Sequence, residues 1–168
     1  PLVMKVVGPI HKSDVGGVAL NITDEETLLE KFRQMMTIPQ TTAILMQPML
    51  SGTQIFIGAK REGNFGHLIL CGLGGIFVET LKDINYSLSP VSRVEADEMI
   101  RTLRSYRILE GTRGQEGVNI PMFSEAVRRV SALCQAAPEI FEMDINPLMA
   151  GTRQITAVDA RIRIEKER

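Results

Sequence analysis

Between Thr42 and Leu88 one extended run follows another, with only short turn segments between them. Thr42 to Met46, Gln54 to Ala59 and His67 to Leu70 are each apolar and strand-like, and the breaks carry "PMLSG" and "REGN". After "GLGG" come Ile76 to Leu81 and Ile84 to Leu88. Several consecutive strands stand among the helices, which fits an α+β or mixed-sheet α/β chain. The expected class is α/β in the broad, α+β sense: a mixed or antiparallel sheet flanked by helices.

The flanking elements are legible from their periodicity. Leu2 to Val7 is a β-rich run ended by Gly8 and Pro9, and Val15 to Ile22 is a second. Thr23 is the expected N-cap of a helix, with Glu26 completing a capping box. Leu28, Leu29, Phe32, Met35 and Met36 form its apolar stripe. Glu95 to Leu109 reads as one helix with Met99, Ile100, Leu103 and Tyr106 on a face, and 121–136 as another. Ile140 to Ile145 and Gln154 to Ile164 close the chain as strands.

Composition excludes several functions. A net charge of −1 gives no electrostatic case for nucleic acid or an anionic membrane surface. No apolar run approaches the ~18 residues of a membrane span, so the expectation is a cytoplasmic protein. Cys71 and Cys134 are expected to be reduced core thiols. No Gly-Lys-Ser/Thr loop, G-x-S-x-G elbow or zinc constellation is present. An apolar strand at the very start, without an initiator methionine, is expected of a piece of a longer polypeptide.

Four places could carry chemistry. In "EMDINPLMAGTRQITAVDARI", Glu142, Asp144 and Asn146 share one face of a strand. A hairpin turning between Thr152 and Arg153 sets Asn146 across from Asp159, close enough to share a hard cation such as Mg²⁺. Polar residues on a solvated sheet face fit the same spacing. "GLGGIFVE" is compatible with a plain turn or with backbone N–H groups approaching a phosphate. Lys5, between Met4 and Val6, either faces solvent or points into a cleft. In "HKSDVGG", His11 is either a turn histidine or a nucleophile able to take up and release phosphoryl.

Taken in order, "LVMKVV", "HKSDVGGVALNI", "ILMQPML", "FIGAKREGNFGHLILCGLGGIFVETLKDI" and "EMDINPL…AVDARI" resemble the ATP-grasp part of NDP-forming acyl-CoA synthetases. That part is the β-subunit-like region of ADP-forming acetyl-CoA synthetase, a relative of succinyl-CoA synthetase. The resemblance implies an ATP-grasp domain over residues 1–168, with 1–46 the remainder of a small lobe that lacks its first part and 47–168 the C-terminal lobe. It implies acid–CoA ligase chemistry, with phosphoryl passing through histidine between acyl phosphate and ADP. It implies Mg²⁺ and ATP or ADP as cofactors, and a CoA-binding α-like domain or subunit as partner, with room for a homo-oligomer. By the same resemblance His11 and Glu79 are catalytic. Lys5, Gln47, Pro48, Met49, Gly74 and Gly75 bind nucleotide, and Asn146 and Asp159 bind metal.

The chain departs from the family pattern at three points. Gln54 stands where an acidic residue is usual, Ser87 where an arginine is usual, and "REGNFGH" replaces the customary "RDPxFGP". The first two keep a second reading open. It is a catalytically inactive regulatory domain sensing nucleotide or acyl-CoA, like the synthetase-like region of some protein acetyltransferases.

Overall fold

The computed structural model describes residues 1–9, 12, 15–75, 83–112, 114 and 116–165. The chain divides into two compact units, Pro1–Leu50 and Ser51–Arg168. In the first, strands β1 (Leu2–Val7), β2 (Val18–Ile22) and β3 (Ala43–Pro48) pair antiparallel in the order β2–β1–β3. Alternation along β1 sends Met4 and Val6 to one face, where they bury with Ile22 against Met35 of helix α1 (Glu25–Met36). Val3 and Lys5 take the other face, opposite Gln47 and Leu45. Because Gln47 and Pro48 pair with Val3 and Leu2, they go with the first unit and not with the second.

Helix α1 begins one residue later than a Thr23 cap would start it. The N-cap is Asp24, whose carboxylate accepts from the Thr27 backbone N–H at 2.8 Å and from its hydroxyl at 2.9 Å. A carboxylate satisfies the same unpaired N–H as a hydroxyl and adds negative charge at the positive helix end. Asp24 therefore displaces Thr23.

The second unit is built on a larger sheet ordered β6–β5–β4–β7–β8, with β9 also paired to β7. Its strands are β4 (Thr53–Arg61), β5 (His67–Leu73), β6 (Ile84–Leu88), β7 (Ile140–Ala150), β8 (Ile155–Ala157) and β9 (Arg161–Ile164). Every pair is antiparallel. Ile55, Ile57 and Ala59 of β4, Ile69, Cys71 and Leu73 of β5 and Met143 of β7 share one face. That face forms the core with α2 (Arg93–Arg101), α3 (Tyr106–Glu110) and α4 (Ile120–Ala136) through Ile100, Leu109, Phe123 and Val127. Cys71 and Cys134 are free and buried there, and burial pushes the Cys71 thiol up to about 12.

The helix expected over Glu95 to Leu109 is two helices. Asp83, only 8% exposed, accepts the N–H groups of Arg104 at 3.0 Å and Ser105 at 2.7 Å. Those donors would otherwise serve a continuous helix, so the remote carboxylate divides it. Burial pushes the Asp83 carboxyl up, but hydrogen bonds from Ser105 and Arg104 outweigh this and hold it below the usual carboxylate range. The expected strand Ile76 to Leu81 lies outside the described residues. Among the described residues no helix is long and apolar enough to cross a membrane.

Candidate functional site

The closing hairpin has the register that a turn at Thr152 and Arg153 requires. Leu148 pairs with Ala157, Met149 with Thr156 and Ala150 with Ile155, and beyond β8 the same count resumes with Asp144 opposite Arg161. Asn146 and Asp159 thus stand at matching positions across the hairpin. Thr-Arg has no intrinsic turn preference, and the support comes from the start of α4. Asn119 donates its backbone N–H to the Gly151 carbonyl at 2.9 Å and its side-chain amide to the Thr152 carbonyl at 3.0 Å. Its side-chain oxygen meanwhile caps α4 through the Met122 N–H.

On the β4 side the register slips. Ile55 faces Leu148 and Ile57 faces Ile145, so Asn146 and Pro147 together oppose Phe56. Such a bulge bends the strand and re-aims the side chain it carries. The Asn146 side-chain oxygen accepts the Gly75 N–H at 3.0 Å. Gly75 has φ +63, and a Cβ there would run into the Gln54 amide oxygen. The Gly74 N–H donates to the Gln54 carbonyl at 2.8 Å. The glycine block and the hairpin are therefore one local structure, with Gln54 beside it.

Charge is concentrated on this side of the sheet. Loss of surrounding water pushes the Asp144 carboxyl up; Arg161 opposes the rise, and Asp159 and Glu142 add to it. Crowded carboxylate oxygens of this kind suit a hard divalent cation. Among the described residues no group of three or more His, Cys, Asp or Glu side chains could hold an ion by itself. The arrangement fits Mg²⁺, which takes one or two protein ligands and fills its other positions with phosphate and water oxygens. Strand alternation sets Asp144 on this face, and nothing in the sequence motifs assigns it a role. Its two-residue offset from Asn146 was the available signal.

In the first unit Lys5 is only 9% exposed, between Val18 and Leu45 on the sheet face away from α1. Gln47 shares that face, and its buried side-chain oxygen meets no donor among the described residues. Such an acceptor is costly unless a donor arrives from elsewhere. Pro48 ends β3, and the Met49 N–H donates to the Pro1 carbonyl at 3.0 Å. Gly17 is the last residue of "HKSDVGG". Its N–H donates to the Lys12 carbonyl and its carbonyl accepts from Val6, and a Cβ would collide with both the Val6 side chain and the Lys12 carbonyl. His11 and Glu79 lie outside the described residues. The other histidine, His67, opens β5 and is buried with Nε2 2.6 Å from the Ile140 carbonyl.

A family model described as the ATP-grasp domain matches residues 1–164. The chain is 40% identical over 172 residues to the beta subunit of acetate–CoA ligase [ADP-forming] I from Pyrococcus furiosus, covering 96% of this chain and 74% of that subunit. The chain belongs to the ATP-grasp family, in the beta-subunit-like branch of ADP-forming acetyl-CoA synthetases. It is also 38% identical over 176 residues to acetate–CoA ligase [ADP-forming] I from Archaeoglobus fulgidus, covering 99% of this chain but 26% of that one. The chain thus spans about three quarters of the length of that subunit and about a quarter of the longer enzyme.

Solved structures agree. An acetyl-coenzyme A synthetase 1 from Ca. Korarchaeum cryptofilum, holding coenzyme A and Ca-AMPCP, matches with a TM-score of 0.91 and 36% identity over 98% of this chain and 76% of that one. In a second structure of that synthetase, with coenzyme A and Mg-AMPPCP, the phosphohistidine segment points towards the nucleotide-binding site; its TM-score is 0.85, at 36% identity and the same coverage.

Proposed function

We propose that this chain is the nucleotide-handling part of an acid–CoA ligase that runs acid + CoA + ATP = acyl-CoA + ADP + phosphate. A ring nitrogen of His11 forms a bond to the γ-phosphorus as the bond to the ADP oxygen breaks, and the reverse step returns phosphoryl to ADP. Lys5 steadies phosphate charge, and Gln47, Pro48 and Met49 meet the adenine. The unmet acceptor on Gln47 supports this, because an exocyclic amine is a donor. Gly74 and Gly75 border the phosphates, and Glu79 assists the histidine relay. Asn146 and Asp159 hold Mg²⁺, which screens the phosphates when bound. Coenzyme A and the acyl group belong to an α-like domain or subunit, and the assembly works in the cytoplasm.

The observation that carries this reading is the hairpin register that aligns Asn146 with Asp159, joined to the glycine block through Gly75. Ser87 weighs less against it than the sequence alone implies. It lies opposite Ile69 on the helix-backed face, away from Asp144. Gln54 is different: its amide lies against Gly75, where an acidic residue is usual, and this favours the regulatory reading.

The test is to incubate the full-length protein with γ-labelled ATP and Mg²⁺, beside His11→Ala. Acid-labile, alkali-stable label on the protein that disappears in His11→Ala is the expected result. No label on folded protein that still binds nucleotide would transfer the assignment to the regulatory reading.

A further inference from the structure

The helical side of the second unit holds a cavity of about 270 Å³ that the nucleotide chemistry does not use. Among the described residues it is lined by Arg93, Asp97 and Arg101 of α2, Tyr106 of α3, and Ser124 and Arg128 of α4, with Glu125 beside them. Arg93, Asp97 and Arg101 fall at i, i+4 and i+8, so one face of α2 presents all three. Glu125 is already engaged: Arg128 reaches it at 2.9 Å and Arg129 at 3.0 Å. Arg93 and Arg101 against Asp97 leave a surplus of positive charge in the cavity wall.

Two buried serines on α4 make the contrast that matters. Ser131 is spoken for: its hydroxyl accepts the Val91 N–H at 2.9 Å and lies 2.9 Å from the Ser89 hydroxyl. Ser124 is just as buried, at 3% exposed, yet it lines the cavity and no described residue hydrogen-bonds its hydroxyl. A buried hydroxyl turned into a cavity beside two guanidinium groups is a donor set lacking an acceptor. The matching ligand is rich in acceptors, anionic and small. A phosphate group meets all three conditions, and guanidinium forks fit its oxygens in pairs.

We propose that the cleft between α2 and α4 binds a small phosphate-bearing ligand at a site separate from the nucleotide. Arg93 and Arg101 hold the charge, Ser124 donates to one oxygen, and the Tyr106 and Ile120 side chains bound whatever carries the phosphate. The volume suits inorganic phosphate or a small phosphate ester and is tight for a whole nucleotide.

Calorimetric titration of the full-length protein with inorganic phosphate and with ribose 5-phosphate, each with and without saturating Mg-AMPPCP, tests this. Saturable binding that persists beside the nucleotide analogue is the expected result, and the tighter of the two probes tells free phosphate from an ester. Losing a charged hydrogen bond weakens binding about tenfold or more, so Arg93→Gln with Arg101→Gln should show at least that loss. Ser124→Ala should show a smaller loss and Arg107→Gln, outside the cavity, none; thermal melts establish that each variant folds. Binding that vanishes with Mg-AMPPCP, that is unchanged in the double variant, or that is absent at millimolar phosphate overturns the proposal. Failure of the protein to bind Mg-AMPPCP bears on the nucleotide assignment alone.

Discussion

On one face of the larger sheet Ile57, Ile69 and Cys71 lie wholly buried under the helices; on the other, the same strands turn out Lys60, Glu142 and Asp144. The backbone pairing is shared, and only the two-residue period of the side chains separates the faces. Stability and chemistry are thereby assigned to alternate residues of the same strands. A substitution on the outer face can reach the proposed cation site while leaving the core packing intact. The bulge at Asn146 and Pro147 is where this division is interrupted, and there a polar side chain is aimed at Gly75.

The sharpest way to break this contrast is at its buried side. Ile57→Ala should cost about 2–5 kcal/mol in denaturant unfolding, because a fully buried side chain leaves a cavity in a core that relaxes only in part. A loss as small as that of an outer-face change would erase the distinction. Asp83→Asn should cost about 1.5–3 kcal/mol, since an amide cannot accept both the Arg104 and Ser105 N–H groups as the carboxylate does. The Asp83 carboxyl lies below its unfolded value in the native protein, so its contribution is complete above the unfolded pKa and disappears as pH falls through the native one. The gap in melting temperature between Asp83→Asn and the parent should therefore close in acid, and a gap that widens would contradict the assignment. Lys60→Ala on the outer face removes an exposed ion pair with Glu62 and should cost no more than about 1 kcal/mol.

How far the residues alone reach depends on how local the cause is. The closing hairpin was legible because its two strands and its turn lie within a few positions of each other, and the Asn146–Asp159 register followed from counting out from the turn. The Asp24 cap was not, because Thr23 and Asp24 both satisfy cap chemistry and only the chain's path selects between them. The division of the expected 95–109 helix depends on Asp83, which no helical period can announce. The Gly75–Asn146 bond joins residues 71 positions apart, and nothing in either motif names the other. His11 and Glu79 rest on the family resemblance and on chemical type.

In the proposed function the outer face of this sheet holds Mg²⁺ for nucleotide through Asn146 and Asp159. The most direct measurement is ADP affinity of the full-length protein with and without Mg²⁺, in the parent and in Asp159→Asn, with melting curves alongside. Mg²⁺ should strengthen ADP binding in the parent and barely in Asp159→Asn, with the melting curves showing that both proteins are folded. Equal Mg²⁺ enhancement in both proteins would contradict this assignment.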